Sequence, residues 1–364
     1  MATNTTSEAP SQTSGEAAAS CTTAVPGKYG NVPITACNSY YNFNPEFAPA
    51  VAVCVLFGIL TLAHMAEAYM FKKRYCWVLI MGAAWEAIGF GLHAAGAHDQ
   101  QNAGYATAHN LLFLLSPLWI NAFAYMTFAR MVHYFLPESR VWKIKGASLA
   151  KCFVWADILA FIIQGVGGLM ANPGNDSSTM KTGVDIYMGG IAVQEAFVLF
   201  FISLMVLFHR QSVSLETSIR VRERPWRPLL YALYGVLLAI TVRIIFRLVE
   251  YSRGMQPSNP VPFHEAYAYA LDAFPMMAAI LILAVIHPGR YLVGPESEFP
   301  KKSRKERKAE KKAKKAEKQA AKAERKAGRH FAKVGELAYN ESSDRGDSGS
   351  WDAYDMSEQN QARV

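Results

Sequence analysis

Charge is what this chain has least of. Of its 364 residues only 18% are Asp, Glu, Lys or Arg, while 51% are hydrophobic, and the mean hydropathy stays at +0.07 despite two polar tails. That balance excludes an ordinary solvated domain and points to an integral membrane protein. Cysteine is also scarce. Of the five, only Cys21 and Cys37 lie away from apolar stretches; they are either a disulfide pair in an extracytoplasmic segment or two unpaired thiols. Residues 1–44 contain one Lys and no apolar core, which excludes a cleaved signal peptide, and their Ser, Thr, Ala and Gly content predicts a disordered lead.

Seven apolar stretches follow, at about 47–71, 76–96, 107–133, 148–171, 184–208, 228–250 and 264–287. Each is long enough to cross the hydrocarbon as a helix, so the expected fold is all-α, a seven-helix transmembrane bundle over residues 45–290. Lys and Arg concentrate in alternate connections: Lys72, Lys73 and Arg74; Arg140, Lys143 and Lys145; Arg210, Arg220, Arg222, Arg224 and Arg227. The other connections hold none around 97–106, Lys181 around 172–183, and Arg253 around 251–263. This asymmetry predicts an N-terminus outside and a C-terminus in the cytoplasm. Asn4 and Asn175 then become candidate glycosylation sites, whereas the sequon at Asn340 faces the cytoplasm and stays unmodified.

The densest set of ionisable residues at membrane depth lies between 229 and 289. Arg243, Arg247 and Glu250 fall at i, i+4 and i+7, one helical face, and Glu265 and Asp272 are seven apart on the next helix. In an antiparallel hairpin Arg243 and Asp272 lie at similar depth, roughly 10 Å below the connecting loop at 1.5 Å per residue. Arg247 and Glu265 then match nearer the surface. A charge in hydrocarbon is costly unless paired or wet, so these groups should face one another.

Elsewhere Glu86 and His93 share a face, as do Asp157 and Gln164. Counting from helix ends puts Glu86, Asn121, Asp157, Gln194 and Glu195 near the bilayer middle, where they could line one cavity. The Arg243, Arg247, Glu250, Glu265 and Asp272 set serves either as a brace or as a binding site. Glu86, Asp157 and Glu195 have no cation in their own helix and point to a wet functional site. Gln164 and Gln194 read as interhelical hydrogen-bond partners, and Gly165, Gly167, Gly168, Gly189 and Gly190 as points of close helix approach. Pro117 and Pro275 should kink their helices and free carbonyls.

These strings also carry a family resemblance. Arg243, Phe246, Arg247, Glu250, Tyr251 and Gly254, then His264, Glu265, Tyr269, Asp272, Pro275 and Met276, then His287-Pro288-Gly289 resemble the pattern of the fungal RTA-like lipid-translocating exporters. Glu86 with Gly89-Phe90, Ser116-Pro117 with Tyr125 and Arg130, Asp157 with Gln164 and Gly167-Gly168, and Gly190 with Gln194 extend the likeness from about Tyr29 to Gly289. Two positions depart: Phe90 stands where Tyr is usual, and His93 where Arg is expected. The resemblance implies transport of an amphipathic, lipid-like cargo such as a sphingoid base, a sterol analogue or a porphyrin, on a fungal surface or internal membrane. Glu86, His93, Asp157, Gln164, Gln194, Glu195, Arg243, Arg247, Glu250, Glu265 and Asp272 are the candidate binding or translocation residues.

Other chemistries fit less well. A seven-helix receptor or stress sensor is the alternative, yet Arg130 follows Ala129 rather than an acid, and the seventh helix ends His-Pro-Gly. No Lys lies in 264–287 for a retinal Schiff base, and no phosphate-binding loop supports direct use of ATP. The nine histidines contain no H-x-x-x-H pair, so neither metal nor cofactor is expected and no enzyme is inferred. Active transport would then draw on protons through Glu86, Asp157 or Asp272.

The basicity belongs to one tail. Residues 301–333 carry 16 Lys/Arg and four Glu, so the rest of a chain of net charge +8 is acidic. Their composition predicts a solvated basic helix beside anionic cytoplasmic lipid headgroups within the tail 291–364, with nucleic acid disfavoured as its partner and 340–364 disordered. Oligomeric state is left open.

Overall fold

The computed structural model describes residues 22–171, 176–218, 225–252 and 259–299, with nine helical, exposed positions between 306 and 324. Six long helices come first: α1 Phe47–Phe71, α2 Trp77–His98, α3 Ala103–Phe135, α4 Gly146–Met170, α5 Ser177–Ser218 and α6 Arg227–Ser252. The seventh span is composite, with α7 Glu265–Ala268, a π turn Tyr269–Ala273, α8 Phe274–Val285 and a short α9 Pro288–Tyr291. Among the described residues, seven helices are thus long and apolar enough to cross a membrane. Each packs on its neighbours in sequence, α1 closes the ring against α8, and α3 reaches across to α6.

The helices are amphipathic in the reverse sense to those of a soluble protein. On α4, Trp155, Leu159, Ile162, Val166 and Leu169 form an exposed stripe, while Asp157 and Gln164 are buried with Phe153 and Ala160. Such an apolar stripe is stable only against lipid. Close approach of α4 and α5 depends on glycine: a Cβ at Gly167 would sit 2.7 Å from the Gly183 carbonyl oxygen and against the Tyr187 backbone. Gly183 takes part in this contact although the sequence did not single it out. Gly165 and Gly189 face open space instead.

Three elements differ from expectation. First, α5 has 42 residues, about 63 Å at 1.5 Å per residue and twice the hydrocarbon thickness, because its polar end carries no helix breaker before Pro225. Second, residues 22–44, expected within a structureless lead, are held together with 45–46 onto the α2–α3 turn. Gln101 Nε2 donates to Gly30 O at 2.7 Å, Gln100 N donates to Tyr29 O at 2.8 Å, and Asn38 binds both Ala24 and Gln101. The reason is polar satisfaction, since the side chains of the turn find backbone partners there. Tyr41 is half-buried in this cap, and that burial together with the Asp99 carboxylate pushes its phenol up to about 12. Third, a two-stranded hairpin, β1 Arg140–Val141 and β2 Ile144–Lys145, fills the basic α3–α4 connection.

Cys37 is disulfide-bonded, whereas Cys54, Cys76 and Cys152 are free. Cys21, Asn4, Asn175, Arg253, the basic run 220–224 and the segment 340–364 lie outside the described residues. At the opposite end of the bundle from residues 22–46, the segment after α9 packs on α3. Lys73 Nζ donates to Ser297 Oγ at 2.8 Å, and burial lowers the Lys73 ammonium pKa below its ordinary value. The Arg130 guanidinium lies 3.7 Å from the centre of the Tyr75 ring and also faces Phe299.

Candidate functional site

The polar residues singled out in the sequence form three groups inside the bundle. At the end capped by residues 22–46, α2 brings His93 within 2.7 Å of Glu265 Oε1 on α7. The Tyr269 hydroxyl donates to the same oxygen at 2.8 Å, and the Glu46 backbone N–H donates to Glu265 Oε2 at 2.9 Å. The His109 ring stacks on His93 with centroids 4.3 Å apart, while His109 Nδ1 donates to Gly89 O at 2.9 Å.

The next group is built around Asp272. Its carboxylate is fully buried and takes Arg243 Nε on Oδ1 and Arg247 Nε on Oδ2, both at 2.5 Å. Arg247 also pairs with Glu250 at 3.0 Å. Arg243 Nη2 donates to Phe113 O at 3.4 Å. That carbonyl is free because Pro117, four residues on, has no N–H to give it. Glu86 feels Arg243, Asp272 and Arg247, yet neither of its oxygens accepts a hydrogen bond among the described residues. The neighbouring Ser116 hydroxyl gives its proton to Gly82 O at 2.8 Å.

The third group joins α3, α4, α5 and α6. Asn121 Nδ2 donates to Asp157 Oδ2 at 3.0 Å, beside the buried Tyr125 phenol. Gln164 Nε2 donates to Gln194 Oε1 at 2.9 Å, an interhelical bond of the kind expected of these two amides. Glu195 is only half-buried and lies by Thr241 of α6.

One sequence-based pairing fails. Arg247 was matched with Glu265 but pairs with Asp272 and Glu250, and Glu265 pairs with His93 instead. The physical reason is the π turn at Tyr269–Ala273, which precedes Pro275 and inserts an extra residue into the helical repeat. Glu265 and Asp272 therefore leave the common face that an uninterrupted α-helix gives to residues seven apart. The sequence also missed His109, Tyr269 and Glu46 as partners; a histidine two turns along α3 from Ser116 was the available signal. The polar residues do not converge on one point but occupy three linked sets.

The family model described as RTA1 like protein matches residues 79–294. A probable lipid transporter, atnI, of Emericella nidulans is 43% identical over 79% of this chain and 77% of its own length. The lipid-translocating exporter-like protein RTA1 of Leptosphaeria maculans is 27% identical over 72% of this chain and 53% of its own length. The sphingoid long-chain base transporter RSB1 of Saccharomyces cerevisiae is 23% identical over 72% of this chain and 77% of its own length. No solved structure matches.

Proposed function

This chain belongs to the RTA1-like protein family, and from that premise we propose that it moves an amphipathic, lipid-like molecule across its membrane through the polar interior of the bundle. The observation that carries this proposal is Glu86, 1% exposed and with no hydrogen-bond donor on either oxygen among the described residues. A carboxylate that only braced helices would be paired, as Asp272 is. An unpaired acid beside a buried Arg–Asp–Arg set is suited to receive a proton or a polar headgroup in exchange.

The relatives are named as transporters and exporters, and we carry over from them a non-enzymatic role and a lipid or sphingoid-base cargo. A cationic amine headgroup would meet Glu265 first and Glu86 or Asp157 deeper, while its acyl chain keeps to the apolar outer faces. Proton coupling through Glu86 or Asp157 supplies the drive. We place the N-terminus outside, supported by the alternating basic connections and by the disulfide at Cys37, a bond of oxidising compartments. The basic stretch 301–333 then lies in the cytoplasm, where each Lys or Arg near an anionic leaflet contributes about 1 kcal/mol.

The test is flux of a labelled sphingoid base from proteoliposomes of purified protein, with and without a pH gradient, beside folded Glu86→Gln and Asp157→Asn variants. Saturable flux that either variant abolishes is the expected result. Absence of flux for sphingoid bases, sterol analogues and porphyrins alike, from folded protein, would favour a receptor that does not transport.

A further inference from the structure

At the end of the bundle opposite residues 22–46, three donor side chains from two spans meet outside the sets described above, and a fourth from a third span abuts one of them. They are His64 and Glu67 of α1, Cys76 at the start of α2, and His287 at the turn between α8 and α9. His64, Cys76 and His287 are each at most 1% exposed. The ligand atoms of His64, Glu67 and His287 lie within 4.8 Å of one another, and His287 Nε2 is 3.5 Å from Cys76 Sγ.

The hydrogen-bond pattern leaves this cluster short of a cation. His64 Nε2 faces the Ile280 carbonyl at 3.1 Å, and a carbonyl only accepts, so the His64 proton is on Nε2 and Nδ1 presents a lone pair. That lone pair lies 3.3 Å from Glu67 Oε2, another acceptor. Neither atom makes a hydrogen bond among the described residues. Two buried acceptors held side by side repel unless a positive centre lies between them.

We infer that His64, Glu67, Cys76 and His287 bind one zinc-class transition-metal ion that clamps α1, α2 and the end of the seventh span together. The edges fit. With metal–N and metal–O distances of about 2.0–2.1 Å and metal–S of about 2.3 Å, tetrahedral ligands stand about 3.3 Å apart for N and O and about 3.5 Å for N and S. Those are the His64–Glu67 and Cys76–His287 separations. Two neutral imidazoles, a carboxylate and a thiolate cancel a divalent charge, as a low-dielectric site requires. Four protein ligands leave no open position, so the ion is structural rather than catalytic. On binding, the Cys76 thiol proton leaves to solvent. The His287 proton moves from Nε2 to Nδ1, which opens the present 3.1 Å bond from Gly289 N to that nitrogen. The sequence hid the set because His64 and Glu67 are three apart on one helix, whereas the other two donors come from distant spans.

The experiment is elemental analysis of the purified full chain after zinc loading and exhaustive dialysis, followed by cobalt exchange and absorption spectroscopy. Size-exclusion profiles verify the fold of each sample. About one ion per chain is expected, with a thiolate-to-cobalt charge-transfer band that Cys76→Ser removes and an affinity that Glu67→Gln lowers about 100-fold. Folded wild type without stoichiometric metal would mean that a proton shared by His64 and Glu67 replaces the ion, and would overturn the inference. Metal bound equally well by folded Glu67→Gln and Cys76→Ser would place it elsewhere and overturn it too.

Discussion

Asp272 is the acid on which the buried charges depend, and replacing it with Asn tests that dependence. Both its oxygens are taken by guanidinium groups at 2.5 Å, and its side chain is fully buried. Asn keeps the shape and one acceptor but removes the charge. Two arginines then share what remains: Glu250 at 3.0 Å for Arg247 and the Phe113 carbonyl at 3.4 Å for Arg243. Breaking a buried pair by removing one partner costs about 3–5 kcal/mol. The retained contacts set the expectation at the low end, about 3 kcal/mol. At roughly 2–4 °C per kcal/mol for a domain of this size, detergent-solubilised Asp272→Asn should melt roughly 6–12 °C below wild type. Arg243→Gln should cost less, because Asp272 keeps Arg247. The double variant should recover part of the loss, which a double-mutant cycle measures as coupling between the two positions. An Asp272→Asn melting point within about 2 °C of wild type, or an Arg243→Gln variant less stable than Asp272→Asn, would refute the assignment of Asp272 as the shared anion.

Glu86→Gln should leave thermal stability unchanged or raised, because it removes a buried carboxylate that no donor among the described residues satisfies, while abolishing the response of flux to a pH gradient; a strongly destabilised variant would show that Glu86 is a brace. Gly167→Ala should cost about 1–3 kcal/mol by forcing α4 and α5 apart, whereas Gly189→Ala, which meets nothing within 4 Å, should melt like wild type. Asp176 accepts from Ser178 Oγ, from Thr179 Oγ1 and from Thr179 N at the start of α5, and these bonds hold its carboxyl well below the usual range. Its folded pKa is depressed, so its contribution is full above the unfolded value and fades as pH falls through the folded one. Amide exchange at Thr179 should therefore be faster in Asp176→Ala at neutral pH, with the difference shrinking in strong acid; an equal difference at both would contradict the cap.

Much of this architecture was legible in one dimension. Asp157 and Gln164 were placed on one face by their spacing of seven, and both are buried while the lipid-facing stripe of α4 lies exposed. Arg243 was matched with Asp272 by depth alone, and the two are paired. What failed was neighbouring: Arg247 and Glu265, matched in depth by counting, take different partners, because a π turn rotates Glu265 against Asp272. The cap formed by residues 22–46 was equally hidden. Low-complexity composition says little about a segment whose order comes from a few bonds to Gln100 and Gln101.

The sequence by itself determined the seven spans, their alternating basic connections and which residues share a face where the helix is unbroken. These follow from run length and the 3.6-residue repeat, both local properties of the chain. Only the tertiary structure decided which acid meets which base, that the carbonyl released by Pro117 receives Arg243, and that His287 meets His64 and Glu67. Those outcomes depend on the rotation and register of one helix against another. Small-residue contacts such as Gly167 against Gly183, and the single π turn, set that register through packing at distances that no periodicity along one segment encodes.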